Sequence, residues 1–148
     1  MTDEDAYSAA DVRAAYDEVY AYTMTTGREA FILQHVVDAN MAQTATADTK
    51  PLGLVFALAG LYLHVERGFN GRRVQQVHMQ LAKQKRTWPA IALPPSRGTI
   101  TARDVLACPE GPERDAAIDA WCQSVWNAYA DARVAIVELL RQTHIAGA

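Results

Sequence analysis

The stretch Pro51 to Arg67, PLGLVFALAGLYLHVER, decides the fold. Set on a helix, Leu52, Leu54, Val55, Phe56, Leu58, Leu61, Leu63 and Val65 surround the axis and leave no face for water, and a helix apolar all round is a buried one. It is shorter than the roughly 20 residues a bilayer span needs, and it ends in His64, Glu66 and Arg67. It therefore reads as a core helix, not a membrane anchor. Pro51 suits a first helical position, where its missing N–H costs nothing, and Gly68 suits a stop. Gly53, Ala57, Gly60 and His64 fall on one narrow side, small enough to let a neighbouring helix approach closely.

Working outward, residues from Ser8 to Met24 place Val12, Tyr16, Val19 and Thr23 on one stripe of an amphipathic helix. Thr26-Gly27-Arg28-Glu29 has the spacing of a capping box and predicts a second helix from Arg28 to Thr46, with Ile32, His35, Val36, Ala39 and Ala42 inward. Asn70 is a cap for a helix from Gly71 to Arg86 whose inner stripe is Val74, Val77, His78 and Leu81. From Thr87 to Gly98 the residues Trp88, Pro89, Pro94 and Pro95 forbid regular helix and predict an extended strap. Thr101 with Asp104 caps a short helix to Ala107, and Cys108-Pro109-Glu110-Gly111-Pro112 breaks the chain again. One long helix, Glu113 to Gln142, follows, with Ile118, Trp121, Cys122, Val125, Tyr129, Ala132, Ile136 and Leu139 as its apolar stripe. With no period-two strand, the expectation is an all-α single domain, residues 1–148: an antiparallel bundle of about five helices, the proline strap preceding the last.

Composition narrows the function classes. Half of the 148 residues are apolar, enough for a substantial core without staples. A net charge of −3 with scattered basic residues gives no nucleic-acid face, and the densest run, Lys83, Lys85 and Arg86 near Arg72 and Arg73, reads as a solvated helix face. Cys108 and Cys122 are too far apart for a redox motif, and the acidic Met1-Thr2-Asp3-Glu4-Asp5 is unlike a secretory signal, so the expected compartment is the cytoplasm.

Chemistry concentrates in three histidines. His35, His64 and His78 sit on the inner stripes of three successive helices, and antiparallel packing puts them at one end, roughly 5 to 12 Å deep at about 1.5 Å per residue. Three neutral imidazoles with an open fourth position would suit a divalent metal such as zinc, with Asp38 or Glu66 as carboxylate support. The alternative is that each is a core histidine with one hydrogen bond. Cys122, on an apolar stripe, reads as inert, and Cys108 has no basic neighbour. Trp88, Trp121, Trp126 and Tyr129 either pack in the core or line an apolar pocket where strap meets last helix, with Trp126 at the boundary or facing a partner.

Val37-Asp38-Ala39 with Gln43, Leu61-Tyr62-Leu63-His64-Val65-Glu66-Arg67-Gly68, Gly98-Thr99-Ile100-Thr101 leading to Asp104-Val105-Leu106, and Trp121-Cys122-Gln123-Ser124-Val125-Trp126 together resemble a family of uncharacterised bacterial helical proteins, a domain of unknown function. The likeness runs from about Tyr22 to Tyr129. It implies a bacterial cytoplasmic protein, supplies no activity, and singles out His64, Glu66, Arg67, Asp38 and Gln43 as the polar motif residues. A Cys-x-x-Cys pair that some relatives carry is absent from this chain, and Asn40 stands where they have an aromatic, so no zinc ribbon carries over. A structural role for the charged members is ready: Asp38 or Glu66 holding Arg67 or a helix end. Three functions remain open: a small-ligand-binding or self-associating module built on that cluster, a metal-dependent enzyme using His35, His64 and His78, and a partner-binding module using the last helix and strap.

Overall fold

Pro51 opens the central helix and Gly68 closes it, as their chemistry requires. The structure is a computed structural model that describes residues 8–26 and 30–145. Its helices are α1 (Ala9–Thr25), α2 (Leu33–Thr44), α3 (Pro51–Val65), α4 (Gly71–Ala82), α5 (Ala102–Leu106), α6 (Pro112–Ala128) and α7 (Arg133–Thr143), with a 3₁₀ turn at Ala130–Ala132. The described residues therefore hold seven α-helices where about five were expected, and no strand. None of these helices is long and apolar enough to cross a membrane.

Helix α3 touches α2, α4, α6 and α7, and Val55, Leu58, Ala59 and Leu63 are wholly buried. At its end Gly68 takes φ +69°, its N–H reaches His64 O at 3.2 Å, and the Phe69 N–H reaches Leu63 O at 2.9 Å. These are the paired bonds of a Schellman motif, in which glycine relieves the left-handed turn. Phe69 is thereby turned into the core, 4% exposed.

The narrow side of α3 receives α2. Met41 lies against Gly53, Asp38 against Gly60 and His35 against His64. Residue numbers fall along α2 as they rise along α3, so this pair runs antiparallel. Asn70 caps α4 through a 2.9 Å bond from the Arg73 N–H, and Thr101 with Asp104 forms a reciprocal box at α5. The predicted box at Thr26 to Glu29 falls on residues 27–29, outside the described residues. Within them α2 starts only at Leu33 and α4 stops at Ala82, short of Arg86.

The long last helix is interrupted. Tyr129, 1% exposed, donates its hydroxyl to Ala42 O at 2.5 Å, and the backbone turns there before α7 begins. No proline or glycine marks the spot. A side-chain anchor across the fold overrides local propensity, a tertiary effect that periodicity alone does not carry.

Three side chains, Gln43, Arg97 and Ser124, tie down the strap and the turn after it. Gln43 donates from Nε2 to Ile100 O at 2.7 Å and to Arg97 O at 3.2 Å, while its Oε1 accepts from Trp121 Nε1 at 2.9 Å. Arg97 reaches back to Ala45 O at 2.6 Å, and Ser124 Oγ accepts from Thr99 N–H at 2.8 Å. Gln43→Leu keeps the volume and strands the indole N–H, so urea unfolding should show a loss of about 2 kcal/mol. A change below about 0.5 kcal/mol would mean that the strap is held without Gln43.

Candidate functional site

At the last turn of α3 the imidazole of His64 lies between a loop and a helix. Its Nδ1–H donates to Phe69 O at 3.0 Å, the carbonyl presented by the Gly68 turn, and its Nε2 meets Asp119 Oδ1 of α6 at 3.0 Å. Both oxygens are acceptors, and the ring spans the gap between them. The hydrogen bond from His64 holds the Asp119 carboxyl below its usual value.

His35 stacks face to face on His64, with ring centroids 3.5 Å apart and planes 16° apart. It is 4% exposed, and its Nδ1 has no hydrogen-bond partner among the described residues. Burial first, and then the charge of His64, pushes His35 down to about 3, which keeps it neutral. One turn further along α2, Asp38 is 3% exposed. Its Oδ1 accepts from Gln34 Nε2 at 3.0 Å, and its Oδ2, pressed against Gly60, has no partner among the described residues. Burial raises the Asp38 carboxyl well above its ordinary value. The seam between α2 and α3 thus carries two unpaired buried polar atoms.

The third imidazole does not join them. His78 bonds through Nε2 to Phe56 O at 2.7 Å and stacks on the Phe56 ring. About two turns into α4, it lies beside Phe56 of α3, not beside His64. Among the described residues no three His, Cys, Asp or Glu side chains are placed to hold a metal ion. The expected three-histidine centre is replaced by a histidine pair and an aspartate.

The motif residues divide. Glu66 accepts from Trp126 Nε1 at 2.7 Å and from Arg133 Nε at 2.8 Å and NH2 at 2.6 Å. It clamps the two sides of the α6–α7 break, and these bonds hold its carboxyl below the usual value. Arg67, the partner expected for Glu66 or Asp38, is exposed and bonds no other described side chain. Gln43 anchors the strap. Trp126, expected at a boundary, is 4% exposed and packs inside, as do Trp121 and Tyr129. Only Trp88 of that aromatic set stays half-exposed beside the last helix.

Catalytic chemistry finds no ready pair here. Neither nitrogen of His64 is free to take a substrate proton, and the buried Cys122 thiol, its pKa raised by burial, donates to His35 O at 3.6 Å. Asp119 and Arg133 were not singled out in the sequence. Nothing marks them among other surface charges, because their roles follow from the register of α6 and α7 on α3.

No curated protein and no solved structure matches the sequence. The resemblance to a family of unknown function is borne out. A family model matches residues 10–130, and the chain belongs to that family, DUF5946, a family of unknown function.

Proposed function

We propose that this chain is a small-ligand-binding helical module, an antiparallel bundle whose recognition centre is the seam of His35, Asp38 and His64 with Asp119 at its edge. One observation carries the reading: His35 Nδ1 and Asp38 Oδ2 are both buried on one face of α2 without partners among the described residues. Each such atom costs about 1–3 kcal/mol, a cost that a site retains when its atoms bind something. The ligand is small and polar, able to donate to an imidazole nitrogen or a carboxyl. Thermal-shift screening of small polar compounds against the parent and His35→Phe tests it. A compound that raises the parent's Tm by a few degrees and leaves the variant unmoved is expected. A library that never separates the two proteins refutes it, and stoichiometric metal lost in His64→Ala would put a metal-dependent reading in its place.

Self-association is the second reading, supported by Met41, 38% exposed and lying against Gly53, and by Leu52, 42% exposed in the first turn of α3. Light scattering at several concentrations tests it, and a strict monomer excludes it. The free thiols of Cys108 and Cys122 fit a reducing cytoplasm.

A further inference from the structure

Where α4 ends at Ala82, the basic run leaves the helix. Lys83 and Lys85 stay exposed, while Arg86 turns partly inward. Its NH1 is enclosed and has no hydrogen-bond partner among the described residues. Arg86 borders a cavity of about 280 Å³ between strap and α7, whose walls include Trp88, Glu138, Leu139 and Gln142. That volume is near the lower end of small-molecule sites, about 300–1,000 Å³.

The acid in this wall does not neutralise Arg86. Glu138 accepts from Arg141 Nε at 2.9 Å and NH2 at 2.5 Å, and from Gln142 Nε2 at 3.1 Å, so both its oxygens are taken. Among the described residues the cavity therefore keeps one positive charge without a fixed counter-charge. An Arg fork matches the two oxygens of a carboxylate, and the indole of Trp88 with the side chain of Leu139 offers apolar surface for a flat body.

We infer that this cleft binds a small aromatic carboxylate, its charge on Arg86 and its ring against Trp88. The site is separate from the polar seam and stands whether or not that seam takes a ligand. Benzoate is the probe, followed by tryptophan emission. Trp121 and Trp126 are 0% and 4% exposed, so Trp88 dominates the response. The parent should give a saturable change, Arg86→Gln should bind benzoate roughly tenfold more weakly or worse, and acetate and inorganic phosphate should both bind more weakly than benzoate. Ala135→Phe, which fills the cleft without touching the charge, should block the change. His35→Phe should bind benzoate as the parent does.

Circular dichroism checks that Arg86→Gln is folded; if it is not, Ala135→Phe alone decides. The inference is overturned if benzoate gives no saturable change in the parent, or if folded Arg86→Gln or folded Ala135→Phe binds as tightly as the parent. Phosphate binding as tightly as benzoate would overturn the aromatic part of the assignment.

Discussion

Gly60→Ala is expected to destabilise the chain by about 3 kcal/mol, a large effect for adding one methyl group. A Cβ at that position would sit 2.0 Å from Asp38 Oδ2, 2.8 Å from Asp38 Cγ and 3.1 Å from Val74 Cγ1. The Asp38 side chain is short, buried and tied to Gln34, so it escapes only by losing that bond. The other escape is for α2 and α3 to part, which unstacks His35 from His64 one turn away. Either route costs energy, because interiors are packed too closely to absorb the change.

The cause is separable from a general intolerance of bulk. Asp38→Ala removes the obstacle and a carboxyl whose burial is itself unfavourable, so in that background Gly60→Ala should cost less than about 1 kcal/mol. Urea unfolding of the parent, both single variants and the double variant measures the coupling. Additive effects would mean that Val74, and not Asp38, limits the site.

The close approach at Gly60 was legible in the sequence, because small residues at helical spacing announce it without tertiary knowledge. So were Pro51 and Gly68 at the ends of the central helix, the Asn70 cap and the Thr101–Asp104 box, all decided within a few residues. What was not legible depends on partners far along the chain. Tyr129 breaks a helix because its hydroxyl meets Ala42, and Arg86 leaves α4 for a cleft built partly from α7. The same division holds at the site. Helical phase put His35 and His64 on inner faces, but only the antiparallel register of α2 and α3 stacks one on the other, and only the seating of α6 supplies Asp119. Gln43 and Glu66 were visible as polar residues in apolar company. Their roles as clamps needed Trp121, Trp126 and Arg133 in place.

His35 carries the second large effect, an acid sensitivity. Folded, it is pushed down to about 3 from an ordinary 6.5. Between those values the unfolded chain binds a proton that the folded chain refuses, so its contribution is fully present above pH 6.5 and is lost as the pH falls toward 3. At about 1.36 kcal/mol per unit, acidification from about pH 7.5 to 4.5 should cost the fold about 2.5 kcal/mol through this ring. Asp38 acts in the opposite sense. Its folded value is raised, so its contribution is present below 3.8 and lost as the pH rises through the folded value. Asp119, held below 3.8 by His64, loses its contribution only in stronger acid. The parent's stability curve sums these with other shifted groups, among them His78, which burial lowers, and this is why the comparison is with His35→Phe, a ring that stacks on His64 and does not titrate. The parent's stability minus the variant's should fall by about 2.5 kcal/mol over that interval in urea unfolding. A difference that stays level would mean that folded His35 takes up its proton as readily as an unfolded one, which a sealed ring stacked on His64 cannot do.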